Sequence, residues 1–480
     1  LDGIAAEDGG KAWLHKEVFR RIRAKSLAKA RAETKPVELS EYQTFLIGLQ
    51  GVGPVGGERY DGEDGVMRVI EQLEGIALPP SVWESSVLPA RVRDYRPAML
   101  DGLLSSGEIV WVGSKTTGSK AKEPGLVALH PADSLLLTVQ DGEKNGEAPG
   151  EPVTLPDAVM AVLAPGGAYH ANQLAGLTRA AWDASSECVD ESTGEILPHP
   201  WSDSQFEEAL WSLVWQGKVT NSSFDPLRSL GASSHAVKAP ARASRRRVRV
   251  RVSVPANMTG LWSAVPHADM QEASAERVAI ARVEALLDRY GVIAPPMIDK
   301  ERLDGGFSGL YPVLRRMEEH GALMRGMFVS GCGAAQFASR QTVDALRACA
   351  AEPSAVVLDA TDPANLYGSV IAWPRTIGGF SIRPARRSGA SVVLRGGRLL
   401  AYAVPRSHHL LLAQDADPAL QQACNELAYA LQRNLRDGGI RGGVTFCDAN
   451  NEPLTERCEW SRMLRVAGFV PVPQGMKLYC

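Results

Sequence analysis

Residues 97–113 read PAMLDGLLSSGEIVWVG. Met99, Leu100, Leu103 and Leu104 recur at helical spacing, Gly107 stops the helix, and Ile109, Val110 and Val112 open a strand. The same grammar returns twice. Phe206, Leu210, Leu213 and Val214 form a stripe that ends at Gly217 ahead of Val219, while Leu310, Val313, Leu314 and Met317 lead to Gly321 and a strand at Met327, Phe328 and Val329. A helix that passes directly into a short hairpin is how a winged helix presents its recognition helix, and further helical patterns precede each copy. Those patterns include 41–49 and 66–74 before the first copy and 271–290 before the third. The spacing predicts three tandem winged-helix units, with generic α+β packing as the alternative reading of the same pattern.

After residue 352 the pattern changes to short apolar runs separated by turns, at 355–360, 368–373, 390–404 and 409–413. Arg395-Gly396-Gly397 between two such runs is a hairpin signal, and Leu420, Cys424, Leu427 and Leu431 mark one face of a helix over 418–435. The last third reads as a small β-barrel module or a curved sheet, with one packed helix. The expected fold is therefore α+β: a basic helical lead-in (1–37), a winged helix (38–150), a winged helix with a basic linker (151–256), a winged helix (257–352) and the β-barrel module (353–480).

The chain has 480 residues, 45% of them hydrophobic and 22% charged, which suits several buried cores. No run of about 18 apolar residues suggests a membrane span, and the first residues lack the order of a signal peptide. The start at Leu1 fits a fragment of a larger protein. Seven scattered cysteines contain no C-x-x-C pair, so they read as reduced cytoplasmic thiols, and no metal site is expected. A net charge of −3 confines any nucleic-acid affinity to local patches.

The densest patch lies within 232–257, where Arg245, Arg246, Arg247, Arg249 and Arg251 alternate at the end with Val248, Val250 and Val252. As a strand this puts guanidinium groups on one face, able to track phosphates or to pair with acidic groups of a neighbour. Lys115, Lys120 and Lys122 decorate the predicted wing at 114–124, where they serve either phosphates or solubility. The lead-in helix is also basic, with Lys16, Arg20, Arg21, Arg23, Lys25, Lys29, Arg31 and Lys35, and with Val18, Ile22 and Leu27 as an apolar side. Neither Gly10-Lys11 nor Gly217-Lys218 belongs to a phosphate-binding G-x-x-x-x-G-K-[ST] loop, so ATP hydrolysis is not expected here.

Catalytic candidates are few. Gln336 stands among small residues and glycines, where it orients a base or water or else satisfies a tight turn. Asp359 and Asp362, with Asn365 and Tyr367, occupy a loop between strands, where carboxylates assist loss of a damaged base or cap backbone amides. His408-His409 read as one exposed and one packed residue.

Two runs, GMFVSGCGAAQFA (326–338) and ATDPANLYG (360–368), resemble the C-terminal region of bacterial large helicase-related proteins, the Lhr family. Four further stretches, 73–113, 209–230, 286–329 and 467–479, look like that family in the same order. The resemblance implies an ATP-dependent motor moving 3′ to 5′ on single-stranded DNA, with ATP and magnesium confined to the N-terminal helicase core of the same chain. It implies winged helices plus a β-barrel in this region, DNA as partner, no membrane, and homo-oligomers, tetramers or larger. Leu427 and Leu431 are candidate assembly contacts, and the expected setting is the bacterial cytoplasm at the nucleoid. The combination is also similar to DNA glycosylases that act on alkylated purines and crosslinks. Their Gln-x-Gln or Gln-x-Asp element is not matched, because Gln336 and Gln341 are five apart. The expected function is DNA binding and assembly in a repair helicase, with removal of uracil or a damaged base as the alternative.

Overall fold

The computed structural model describes residues 35–53, 57, 59–115, 125–138, 154–185, 200–233, 255–266, 274–303, 305–349, 354–374, 383–413, 417–437, 443–455 and 458–479. It also describes 2–5, 11–15, 17, 18, 21, 22, 25, 188, 189, 196 and 197. Ahead of the helical residues 17, 18, 21, 22 and 25, strand Asp2–Ala5 pairs antiparallel with Lys11–Leu14, where a helical lead-in was expected.

Each glycine stop marks a helix end. Pro97–Ser106 closes on Gly107, Asp203–Trp215 is followed by Gly217, and Gly306–Glu319 by Gly321, with φ of 80°, 73° and 81°. A left-handed residue lets the last carbonyls find amides, and glycine adopts that conformation without a Cβ clash. Behind the first stop, Ile109–Ser114 pairs antiparallel with Leu126–Pro131, and Leu78 bridges to Val127 at the edge. Behind the third, Met324–Gly326 pairs with Gln336–Ala338, which also pairs with Val292–Ile293. That strand starts three residues before the expected Met327, because the amides of Phe328 and Val329 donate to the Gln336 side chain (2.9 and 2.8 Å).

The second unit extends past its expected end. Val219–Asn221 pairs with Leu261–Ala264, a strand placed by sequence in the next unit, and Leu261–Ala264 continues to Tyr169–His170. The arginine run thus lies in the chain connecting two paired strands of one sheet. Residues 234–254, which hold all five arginines, lie outside the described residues, as do Lys120 and Lys122.

Packing crosses the sequence boundaries. One core joins the first two units through the fully buried Trp83, Trp111, Trp211 and Trp262, and truncating such a side chain costs roughly 3–5 kcal/mol. Trp111 seals the joint with its indole N–H on Ser223 O (3.2 Å) and its carbonyl receiving Thr220 Oγ1 (2.7 Å). The helix Leu39–Leu49, read as part of the first unit, buries Tyr42, Phe45 and Leu46 in the third unit's core. Val37 pairs there with Val329, so the third wing is edged by the segment before that helix.

The last third holds an open six-stranded sheet in the order Val356–Asp359, Ser391–Arg395, Arg398–Val404, His409–Leu412, Asp448–Ala449, Glu452–Pro453, and a three-stranded sheet. Closure requires the outer strands to meet, and among the described residues the first and last strands of the six do not pair, so the expected closed barrel is not found. Helix Asp417–Asp437 buries Leu420, Cys424, Leu427 and Leu431 against this sheet, which removes Leu427 and Leu431 from any assembly surface.

Candidate functional site

The loop Asp359 to Tyr367 is where the units meet. Asp362 forms a two-pronged ion pair with Arg91 (2.9 and 3.0 Å), both side chains fully buried, and also accepts the Ala364 amide (2.8 Å). Arg91 further donates to Val87 O and to Gln50 Oε1 (3.0 Å each). Gln43 braces the loop from helix Leu39–Leu49, donating to Ala364 O (2.7 Å) and accepting from Leu366 N (2.9 Å). Arg386 spends its donors on the carbonyls of Thr361, Asp362, Asn365 and Tyr367, and Lys300 donates to Pro363 O (2.8 Å). Burial, with Arg386 nearby, drives the Lys300 ammonium down to about 7, and burial also lowers Arg386.

Asp359 accepts the Thr361 amide and hydroxyl and the Gly389 amide, while burial outweighs these bonds and raises its carboxyl above the ordinary range. Tyr367 is inside as well, stacked on Trp373 and bonded to Gly397 O (2.9 Å). Gln336 uses both oxygen lone pairs on Phe328 N and Val329 N and both amide protons on Val329 O and Gly333 O (2.7 and 2.8 Å). The three catalytic candidates are therefore buried and occupied by local bonds; the two aspartates share a loop, and Gln336 organises the third wing. Lys115 sits at the root of the first wing, its Nζ 5.5 Å from the Trp215 ring of the second unit. Arg21, Lys25, Val18 and Ile22 are exposed.

A second junction lies at the end of helix Ala275–Tyr290, whose last carbonyls lack partners within the helix. Gln72 donates to Asp288 O (2.9 Å), Gln50 to Arg289 O (3.0 Å) and Tyr42 to Tyr290 O (2.9 Å). Arg289 returns bonds to Gln72 O and Glu74 O and pairs with Glu301 at 2.6 Å. Burial would raise the Glu301 carboxyl, but Arg289, the Tyr290 hydroxyl and Lys300 hold it below its usual value.

Beside this junction opens a cleft of about 220 Å³ lined by the first and third units and by Val265. Its polar groups are Glu74, His130, Arg282, Arg289 and Glu301, set among Val112, Leu136, Leu137, Ala285, Leu286 and Leu303. His130 Nδ1 lies 3.0 Å from Glu74 Oε1, which also accepts the Ser134 hydroxyl, and both side chains are about nine-tenths buried. Sequence reasoning missed this pair, because Glu74 and His130 are 56 residues apart with no spacing to flag them. A comparable pair, His409 Nδ1 on Asp448 Oδ2 (2.6 Å), lies in the last third, and His408 is the more exposed neighbour. Among the described residues no group of three His, Cys, Asp or Glu is placed to hold a metal, and no helix is long and apolar enough to cross a membrane.

Helices feeding short hairpins, stacked in an α+β chain, define a protein built with winged-helix domains. Residues 37–132 and 272–357 each match the family description "Large helicase-related protein, winged-helix domain". The chain belongs to the large helicase-related (Lhr) family, as a C-terminal domain of it. It is 38% identical over 498 residues to the Escherichia coli K12 protein named Lhr helicase/uracil glycosylase, covering 97% of this chain. It is 36% identical over 500 residues to the Mycolicibacterium smegmatis protein named Lhr helicase/ probable uracil glycosylase, covering 99% of this chain. The chain spans 30% of the length of each of these curated relatives. A solved Streptomyces sahachiroi DNA glycosylase, AlkZ, superposes with a TM-score of 0.49 at 14% identity, over 85% of this chain and 98% of that one.

Arg91→Met or Asp362→Asn alone leaves a buried charge without its partner and costs roughly 3–5 kcal/mol in urea unfolding, whereas Arg91→Met with Asp362→Leu recovers most of the loss. A single variant losing less than about 1 kcal/mol contradicts the assignment. Lys300 titrates near 7 when folded but near its ordinary 10.5 when unfolded, so between those values the unfolded chain binds the extra proton. Stability then rises with pH across that window, by at most about 1.4 kcal/mol per unit. Lys300→Met flattens the rise, measured by urea unfolding from pH 7 to 9.5; an unchanged slope removes Lys300 as its source.

Proposed function

We propose that this chain binds DNA for an Lhr-type repair helicase, through its winged-helix units and the basic segment between two strands of the second. The observation that carries the reading is the position of that segment. Arg245, Arg246, Arg247, Arg249 and Arg251 fall between Val219–Asn221 and Leu261–Ala264, where a winged helix has its wing, and wings reach phosphates. Lys115, Lys120 and Lys122 occupy the corresponding stretch of the first unit, between Ile109–Ser114 and Leu126–Pro131. ATP and magnesium belong in this reading to a helicase core in the same chain, at the bacterial nucleoid. Self-assembly also belongs to it, and Tyr429, Val466, Val470 and Tyr479 support it, being 48–69% exposed in the last third.

A second reading is that the region itself excises uracil. It is favoured by the cleft with its His–Glu pair, and by the names of the two relatives, which join helicase to uracil glycosylase.

If about four arginines neutralise phosphates, log K for DNA falls with log salt at a slope near −3.6. Replacing all five by glutamine flattens that slope and weakens binding at low salt, measured by fluorescence anisotropy. Binding unchanged by the five substitutions rejects the segment as the contact, and light scattering of the same samples at the mass of one chain rejects assembly. For the second reading, incubation with uracil-containing single-stranded and duplex DNA followed by alkali yields strand breaks at uracil; intact DNA in every case rejects it.

A further inference from the structure

The geometry points to the cleft beside helix Ala275–Tyr290 as the pocket for one extruded uracil nucleotide, with His130 taking the proton of the attacking water. This inference rests on the uracil-excision reading and supplies it with residues. Base excision on duplex DNA requires the nucleotide to leave the stack and enter a pocket that holds a flat ring by its faces and its polar edge. At about 220 Å³ the cleft is smaller than the ~300–1,000 Å³ usual for drug-sized ligands and suits a single ring. Val112, Leu137 and Leu286 provide apolar walls, and the polar groups gather together with them.

His130 is set up as a base rather than left to rotate. With Nδ1 protonated and donating to Glu74, Nε2 keeps its lone pair for a water. Glu74 is fixed in turn by the Ser134 hydroxyl, so the acid, the imidazole and their orientation are all determined before substrate arrives. Arg282 supplies the anion site. It is partly buried, lines the same cleft, and has no ion-pair or hydrogen-bond partner among the described residues, whereas its neighbour Arg289 is consumed by Glu301. A guanidinium in that state matches a phosphate flanking the extruded sugar. A purely structural His–Glu brace would need neither the open cleft nor the uncommitted arginine next to it.

In the step, the water oxygen bonds to C1′ of the sugar while the C1′–N1 bond breaks, and its electron pair remains on the uracil ring. The water proton passes to His130 Nε2, and Glu74 stabilises the resulting imidazolium. Release of uracil lets His130 return that proton to the uracil anion or to solvent, which restores the site. Glu74 is a positioning residue in this scheme, and His130 is the catalytic one.

The test uses the full 480-residue chain with a uracil-containing oligonucleotide under single-turnover conditions, protein in excess. His130→Asn is expected to slow uracil release about 100-fold or more, in the range usual for loss of a general base, with DNA affinity within about threefold. Glu74→Gln is expected to lower the plateau rate while leaving the half-saturating protein concentration unchanged. A structural brace would leave both the rate and the half-saturation unchanged. Arg282→Met leaves the His–Glu pair untouched and should raise the half-saturating protein concentration about tenfold, converting to the ~1.4 kcal/mol of a tenfold change. Excision by His130→Asn within threefold of the unsubstituted rate overturns the assignment while uracil excision stands, as does an unchanged plateau rate in Glu74→Gln. Unchanged half-saturation in Arg282→Met overturns the phosphate role. No uracil release by the unsubstituted chain overturns the excision reading and this site together.

Discussion

The Arg91–Asp362 ion pair is the interaction on which the arrangement of units depends. Two charges taken wholly out of water are tolerated only if every remaining valence is met, and here almost every one is. Gln50, Val87 O and the Ala364 amide complete the pair, and within the pair Arg91 Nε has no partner among the described residues. The residues that meet it come from positions 271 apart in the chain, so the pair forms only once the first unit and the last third have docked. Gln43, Lys300 and Arg386 then fasten the same loop to helix Leu39–Leu49, the third unit and the last third.

The second junction works by a different economy. Helix Ala275–Tyr290 ends against other units: the Gly291 amide caps Leu287 O locally, while the carbonyls of Asp288, Arg289 and Tyr290 are satisfied by Gln72, Gln50 and Tyr42. Capping from a distance makes the helix end a register mark between units. Because Arg289 bonds to both Gln72 O and Glu74 O, the mark also sets where Glu74 stands, and hence where His130 is held at the cleft. Fold and site are therefore coupled through one helix terminus.

Much of the fold was legible because its signals are local. Gly107, Gly217 and Gly321 all adopt the left-handed conformation that the stop pattern implies, and the Arg395-Gly396-Gly397 turn does join two paired strands. The family was legible in the runs around Gln336 and Asp362. Placement across units was not. Helix Leu39–Leu49 is adjacent in sequence to the first unit yet packs in the third core, and Leu261–Ala264 belongs to the sheet before it. Periodicity reports which face is buried and never against what. For the same reason Asp359 and Asp362 stand out in the sequence as loop carboxylates, although distant side chains enclose them, while Glu74 and His130 carry no pattern.

The resulting picture is of winged-helix domains locked into one body, with a small polar-lined cleft where the first and third units meet. A structure of the chain bound to duplex DNA carrying 2′-fluoro-2′-deoxyuridine, which resists cleavage of the sugar–base bond, tests that picture most directly. The account predicts the uracil ring out of the stack, between Leu137 and Leu286, with His130 Nε2 facing the sugar C1′ and Arg282 on a flanking phosphate. DNA bound with the ring still stacked, or extruded against any other surface, contradicts it.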